Sequence, residues 1–339
     1  MEKKLHERLV RRINLSSPDA LAGTISAVGV YIADIPISDP VTLNSLRYYQ
    51  SVYSRRRSYR EFRIPKKSGG ERVITAPAEG RFKEILTALA FILGSVYQPT
   101  EAAMAFVPGR SIVDNARRHL GRNYVLNLDL KDFFPSVTAH MVERSLTDIG
   151  ISPITAGMIS TLCTYPVERD GRIVNVLPQG APTSPVLSNI CTMSLDRQLE
   201  GLAGRFHLSY SRYADDITFS SNHHVYHEDG AFMKELRAII TRSGFTINEA
   251  KTRLCQQGDR QEVTGLTVNR HPNVSRRYIK RLRSQIHRIR CEENPSAHDV
   301  HVAQGKLYFL SMVKGRKDPT LNKLFISLNR AVKDKHLTQ

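Results

Sequence analysis

An α+β fold built around antiparallel strands is what this sequence predicts, and three observations predict it. Short runs of alternating character are joined by tight-turn residues, the pattern of β-hairpins. Between them lie longer stretches with apolar residues at helical spacing and Ser or Pro at their starts. At 339 residues, 41% hydrophobic and 24% charged, the chain is long enough to bury a sizeable core and to divide into two or three lobes.

The elements follow in order. Residues 1–45 read as a helical extension that opens on "MEKKLHERLVRRINL", a short basic amphipathic helix without the apolar core of a signal peptide. Ser16 in "SSPDAL" is expected to cap the next helix, with Pro in its first turn. "EFRIPKKSGGERVITAP", Glu61 to Pro77, reads as two strands around a Lys-Lys-Ser-Gly-Gly turn. Arg81 to Tyr97 follows as a helix. "NYVLNLDLKDFFPS" begins as a strand, with Tyr124, Leu126, Leu128 and Leu130 on one face and Val125, Asn127 and Asp129 on the other. Helix resumes from His140 to Gly150, Asp170-Gly171 marks a hairpin, and Pro185 to Leu202 is expected to be one helix. "RYADDITFSSN" is a second hairpin with Asp215 and Asp216 at its tip, and a helix runs from about Gly230 to Ser243.

Charge narrows the function. Lys+Arg 49 against Asp+Glu 32 give +17 and a pI near 9.9, a balance that favours a polyanionic partner. The longest apolar runs, from Leu21 and from Ile85, fall short of the ~20 residues a membrane span needs, so a membrane is not expected. The excess is concentrated from Arg270 onward, where 16 Lys+Arg face 5 Asp+Glu. There "RRYIKRLRSQIHRIRC" sets Ile279, Leu282, Ile286 and Ile289 on one helical face amid basic residues, which points to nucleic-acid contact. Cys163, Cys191, Cys255 and Cys291 have no CxxC spacing and read as buried thiols in a reducing cytoplasm. "NHHVYHEDG" holds ligand-type side chains but reads as a solvated loop.

The chemistry is carried by carboxylates. An isolated Asp-Asp pair is usually a water-facing turn. Asp129, on the polar face of an apolar strand, changes that reading. Joined with Asp215 and Asp216 on one antiparallel sheet, it would complete a cluster of hard oxygen ligands suited to two Mg²⁺ ions and phosphoryl transfer. "LPQGAPTSPVLSN", Leu177 to Asn189, lies between them, with Gly180 allowing close backbone approach.

Taken in order, "LDLKDFFPSV", "LPQGAPTSP", "RYADDITFS", "GFTINEAKT" and "VTGLTVN" resemble the successive motifs of reverse transcriptases, from about Phe62 to Asn269. The resemblance implies a right-hand polymerase: fingers over residues 46–120, a palm over 121–269 with an interleaved fingers segment near 138–176, and a small basic thumb over 270–339. It implies that Asp129, Asp215 and Asp216 are catalytic and hold two Mg²⁺ ions. Phe134 matches the aromatic residue that rejects a ribose 2′-OH, and Gln179 and Gly180 match the loop that packs on nucleotide and template. Lys67 and Arg72, with Lys66 as neighbour option, match the fingers hairpin that neutralises a triphosphate. Lys251 matches a lysine near the pyrophosphate.

"FVPGRSIVDNARRH" carries Asn-Ala-x-x-His, at Asn115, Ala116 and His119, and "EVTGLTVN" carries Val263-Thr264-Gly265. Together they look like the two signatures of bacterial retron reverse transcriptases, although Asn115 and His119, at i and i+4 on a helix, can also be read as capping and packing. The retron resemblance implies copying of part of a dedicated structured RNA from an internal 2′-OH, giving branched RNA–DNA (msDNA), within anti-phage defence beside a separate effector protein. Its partners would be that non-coding RNA, its DNA copy and dNTPs. Asn115 and His119, with Arg276, Arg277, Lys280, Arg281 and Arg283 of the thumb, are the RNA-binding candidates. A group II intron-like or other stand-alone bacterial reverse transcriptase fits the palm equally, but fits the short C-terminus and the Asn115/His119 pattern less well. A non-catalytic RNA-binding scaffold would have no reason to keep three clustered carboxylates. A viral-type RNA polymerase would need a polar residue at Phe134 and usually has Gly where Ala214 stands.

Overall fold

The computed structural model describes residues 13–31, 39–66 and 69–333. One hairpin precedes the central sheet in the chain. β1 (Tyr59–Pro65) pairs antiparallel with β2 (Glu71–Pro77), as the Gly-Gly turn predicts. β3 (Tyr124–Asp129) then enters the centre of the molecule, followed by the hairpin β4 (Tyr165–Arg169) and β5 (Arg172–Val176), turned at Asp170 and Gly171 with both φ angles positive. β6 (Ser209–Tyr213), β7 (Asp216–Ser221) and β8 (Arg253–Gln256) complete an antiparallel sheet in the order β6-β7-β3-β8 among the described residues.

The two faces of that sheet explain its sequence. Leu126, Leu128, Ile217, Phe219 and Tyr210 point to one side and are buried in the large core. Helices Met193–Arg205 and Ala231–Arg242 cover them with Leu195, Leu199, Phe232, Leu236 and Ile240. Each large side chain so buried is worth about 1.5–3 kcal/mol. Val125, Asn127 and Asp129 point to the other side, as their alternation predicts. Val125 joins a second core formed with Val113, Val263, Leu266 and the C-terminal helices. That second core stops short of Asn127 and Asp129, and a groove is left there.

The C-terminal helices Arg276–Cys291, Ala297–Lys314 and Pro319–Lys333 supply the rest of the second core through Leu282, Ile286, Ile289, Leu307, Leu310 and Leu328. Ile279 is only half-buried beside them. Ser275 caps the first of the three by accepting from the Tyr278 N–H.

Three local readings are corrected. The expected helix Pro185–Leu202 is two, Ser184–Cys191 and Met193–Arg205, broken at Thr192. The Thr192 hydroxyl donates to the carbonyls of Ser188 and Asn189, a side-chain competitor that bends helices. Ser17 rather than Ser16 caps helix Pro18–Tyr31, its Oγ accepting from the Ala20 N–H at 3.2 Å. Cys163 and Cys191 are buried, their thiols pushed up to about 12 by burial, but Cys255 is half-buried and Cys291 exposed at the end of a polar helix. The basic helix expected at the N-terminus falls largely outside the described residues. No helix among those described is long and apolar enough to cross a membrane.

Candidate active site

The carboxylates meet because two strands end together. Asp129 is the last residue of β3, and its Cα partner across the sheet is Asp216, the first residue of β7. Ala214 and Asp215 make the turn from β6, with Ala214 at φ 57°. The Leu130 N–H donates to the Asp215 carbonyl at 2.9 Å and fixes the turn against the end of β3. Sequence alternation found the residues; the register places them side by side.

The positive partner is Lys251. Its Nζ donates to Asp129 Oδ2 at 2.9 Å, and Asn248 Nδ2 donates to Oδ1 at 2.9 Å. The hydrogen bond to Asp129 holds the Lys251 ammonium above its usual range. Among the described residues, no side chain donates a hydrogen bond to Asp215 or Asp216, and the Lys251 charge reaches both only at a distance. Burial, and then the Asp215 and Asp129 charges, push the Asp216 carboxyl up to about 6. Burial, and then the Asp129 charge, raise Asp215 as well. The part of this that comes from carboxylate–carboxylate repulsion would be relieved by a cation placed among them.

Three carboxylates are the donor type that Mg²⁺ selects. With Asp129 turned to Lys251 and Asn248, no group of three His, Cys, Asp or Glu side chains among the described residues closes as a metal cage. The donors fit the metal in kind, and each Asp129 oxygen already accepts one bond, from Asn248 or from Lys251. Beside them runs an open groove of about 480 Å³, lined by Asn127, Asp129, Asp216, Thr218, Lys251 and Arg253 among others.

The other candidates divide. Phe134 sits half-buried in the short helix Phe133–Ser136, its ring 6.3 Å from Phe106, while Phe133 stacks at 5.7 Å on Phe245 in the core and anchors the turn. The Gln179 carbonyl accepts the Thr75 N–H at 2.9 Å, so the Pro-rich loop lies against β2. Gly180 has φ 135°, and a Cβ there would stand 2.9 Å from Ile74 Cγ2 and 3.1 Å from the Thr75 carbonyl oxygen. The requirement for glycine comes from β2, not only from a ligand. Arg72 is exposed on β2, and its charge reaches Asp215. Lys67 lies outside the described residues, and Lys66 beside it donates its N–H to Gly70 at 2.9 Å.

Asn115 and His119 are a correction. They are 1% and 0% exposed, so neither can touch RNA in this arrangement. The two His119 ring nitrogens meet Ser220 Oγ at 2.7 Å and Ser211 Oγ at 2.8 Å, and Ser211 Oγ donates to Asn115 Oδ1 at 2.5 Å. Burial, with Arg118 and Arg122 nearby, pushes the His119 imidazole down to about 3. These side chains bind the helix Ile112–Arg117 to the polar face of the sheet. The second signature joins the first. Thr264 (φ 48°) and Gly265 (φ 76°) turn β9 (Glu262–Val263) into β10 (Leu266–Thr267), and Thr264 Oγ1 donates to the Ile112 carbonyl at 3.2 Å. The sequence separates the two signatures by more than a hundred positions, so this union was not legible there.

Arg276, Arg277, Lys280, Arg281 and Arg283 are all exposed, and none has a salt-bridge partner among the described residues. Two functional neighbourhoods were missed by sequence reasoning. One is Asn248, three residues before Lys251. The other is a fully buried pair of Asp196 and Arg212 behind the Asp-Asp turn, whose only sequence signal was an Arg inside a strand that is otherwise buried.

Comparison with known proteins gives a consistent result. The family described as reverse transcriptase (RNA-dependent DNA polymerase) matches residues 64–269. The Retron Mx65 reverse transcriptase of Myxococcus xanthus is 39% identical over 83% of this chain and 67% of its own length. The Retron Mx162 reverse transcriptase of the same organism is 33% identical over 79% of this chain and 60% of its own length. The Retron Ec86 reverse transcriptase of Escherichia coli is 30% identical over 84% of each.

Proposed function

The chain belongs to the reverse transcriptases, RNA-directed DNA polymerases of right-hand fold, and within them to the retron enzymes; from that premise we propose that it copies part of a structured RNA of its own system, starting from a 2′-OH inside that RNA. The observation that carries the reading is the meeting of Asp129, Asp215 and Asp216 at one end of the sheet, beside an open groove. In this reading the three carboxylates hold two Mg²⁺ ions. When bound, such ions lower the pKa of an attacking hydroxyl and stabilise a leaving pyrophosphate.

The chain's own side chains do the rest. Lys251 and Asn248 hold Asp129 in place, the Lys251 ammonium balancing its charge between turnovers, and Lys251 is the cation offered to the pyrophosphate. Arg72 and Lys67, with Lys66, bring positive charge to the triphosphate from the fingers hairpin. Phe134 narrows the sugar pocket, while Gln179 and Gly180 back the nucleotide through β2. Arg276, Arg277, Lys280, Arg281 and Arg283 hold folded RNA by its backbone, as RNA helices are usually held. The partners are a structured non-coding RNA, its DNA copy, dNTPs and a separate effector protein in anti-phage defence. The four cysteines are free, which suits a reducing cytoplasm.

The test is to express the gene with its native flanking sequence and isolate the nucleic acid bound to the protein. A short DNA released only by RNase or by a 2′,5′-debranching activity is expected. Linear DNA extended solely from an external 3′-OH would move the assignment to an intron-like enzyme.

A further inference from the structure

Two backbone turns border the site, and each carries an L-residue at positive φ. Ala214, at 57°, precedes Asp215 in the metal-binding turn; Phe106, at 58°, packs tilted against Phe134 with ring centroids 6.3 Å apart. Such conformations persist only where the surroundings hold them. One buried cluster touches both. Arg212 Nη1 donates to the Ala214 carbonyl at 3.2 Å and to Asn189 Oδ1 at 3.2 Å. Asn189 Nδ2 donates to the Ala105 carbonyl at 2.8 Å, the peptide that leads into Phe106. Asp196 orients the guanidinium with two bonds of 2.7 Å, and Tyr210 and Thr100 hydroxyls donate to the same carboxylate. All three of Asp196, Arg212 and Asn189 are fully buried. The Arg212 backbone is tied in as well, donating to the Ala102 carbonyl at 2.9 Å and accepting from the Met104 N–H at 2.8 Å.

Stability alone does not call for this arrangement, because a buried ion pair can often be replaced by apolar side chains without loss. What a guanidinium offers and an apolar group does not is a rigid fork of directed N–H donors. We infer that Arg212 and Asn189, oriented by Asp196, are positioning residues: Arg212 sets the turn that carries Asp215 and Asp216, and Asn189 sets the segment that places Phe106 against Phe134. Neither touches substrate. Metal geometry and sugar choice therefore share one buried support, with a separate branch to each.

The inference rests on the reading of Asp215 and Asp216 as metal ligands, and a fully active Asp215→Asn control would fail that reading rather than this one. The test uses the full chain on an RNA template with an annealed DNA primer. The double variant Arg212→Gln/Asp196→Asn removes both charges together and shortens the reach to Ala214. It is expected to raise the Mg²⁺ concentration for half-maximal activity several-fold and to lower kcat by ~10–100-fold, with the dNTP KM much less affected. Arg212→Lys keeps the charge but not the fork, and should not rescue. Asn189→Ala leaves the ion pair whole. It should relax discrimination between deoxy- and ribonucleotides while the Mg²⁺ midpoint stays near that of the parent. A double variant that melts with the parent and keeps its kcat and Mg²⁺ dependence overturns the inference. Should the double variant not fold, Asn189→Ala decides: an unchanged sugar ratio overturns it.

Discussion

A single acid, Asp196, and the cluster of Asp215 and Asp216 with Asp129 serve one turn, and they differ in their partners. Asp196 is fully buried and accepts from Arg212, Tyr210 and Thr100, so each lone pair that faces the protein has a donor. Asp215 and Asp216 lie with Asp129 at one end of the sheet beside a groove, with carboxyls raised by burial and neighbouring carboxylate charge. The first is complete without anything added. The second is incomplete by charge, and the missing charge is positive. A carboxylate whose partners are all in the chain builds the protein; one that lacks them is available for chemistry.

The largest effect of a substitution is expected at the incomplete site. Asp215→Asn should abolish nucleotide incorporation while RNA binding, read by filter retention, stays near that of the parent. Full activity in that variant would remove Asp215 from the incomplete class. At the complete site the effect moves from activity to stability. Asp196→Ala leaves a buried guanidinium unpaired and should lower unfolding stability by about 3–5 kcal/mol, measured by denaturant titration. A loss below 1 kcal/mol would mean that water reaches Arg212.

Between the two lies Phe134, exposed enough to meet a ligand and packed enough to hold its place. Phe134→Ala should admit ribonucleotides, changing the deoxy-to-ribo incorporation ratio by roughly two orders of magnitude. An unchanged ratio would place the sugar elsewhere.

The smallest effect sharpens the assignment of His119 to the complete class. Its imidazole is held neutral, down to about 3 against an ordinary value near 6.5. Below 6.5 the unfolded chain binds a proton that the native chain refuses. Stability therefore falls as pH drops through that value, until about pH 3. At pH 5 the loss from this group is on the order of 2 kcal/mol. His119→Gln should flatten the stability profile between pH 7 and 5 relative to the parent. Parallel profiles would show that the ring is solvated after all.

His119 also shows where sequence reasoning turned wrong. The signature reads both as a contact with RNA and as capping and packing, and i, i+4 spacing alone does not tell a helix face in water from one laid on a sheet. The thumb candidates were read by the same logic, and there the five basic side chains do stand exposed and unpaired among the described residues. The difference is composition: five cations on one helix cannot all be buried, whereas one Asn and one His can.

By itself the sequence determined the mixed fold, the two turns that need Gly or Asp, the alternation that sets Asp129 opposite Leu128, and the order of motifs that marks the family. These are local or serial properties, and chain chemistry specifies them directly. Only the tertiary structure decided that Asp129 pairs with Asp216, that Lys251 and Asn248 occupy Asp129, that Gly180 is required by β2, and that Arg212 reaches the Ala214 carbonyl. Each of those depends on the register of strands or loops far apart in sequence. A shift of one residue would turn the side chains to the opposite face, and that choice is made by the buried face of the sheet as a whole.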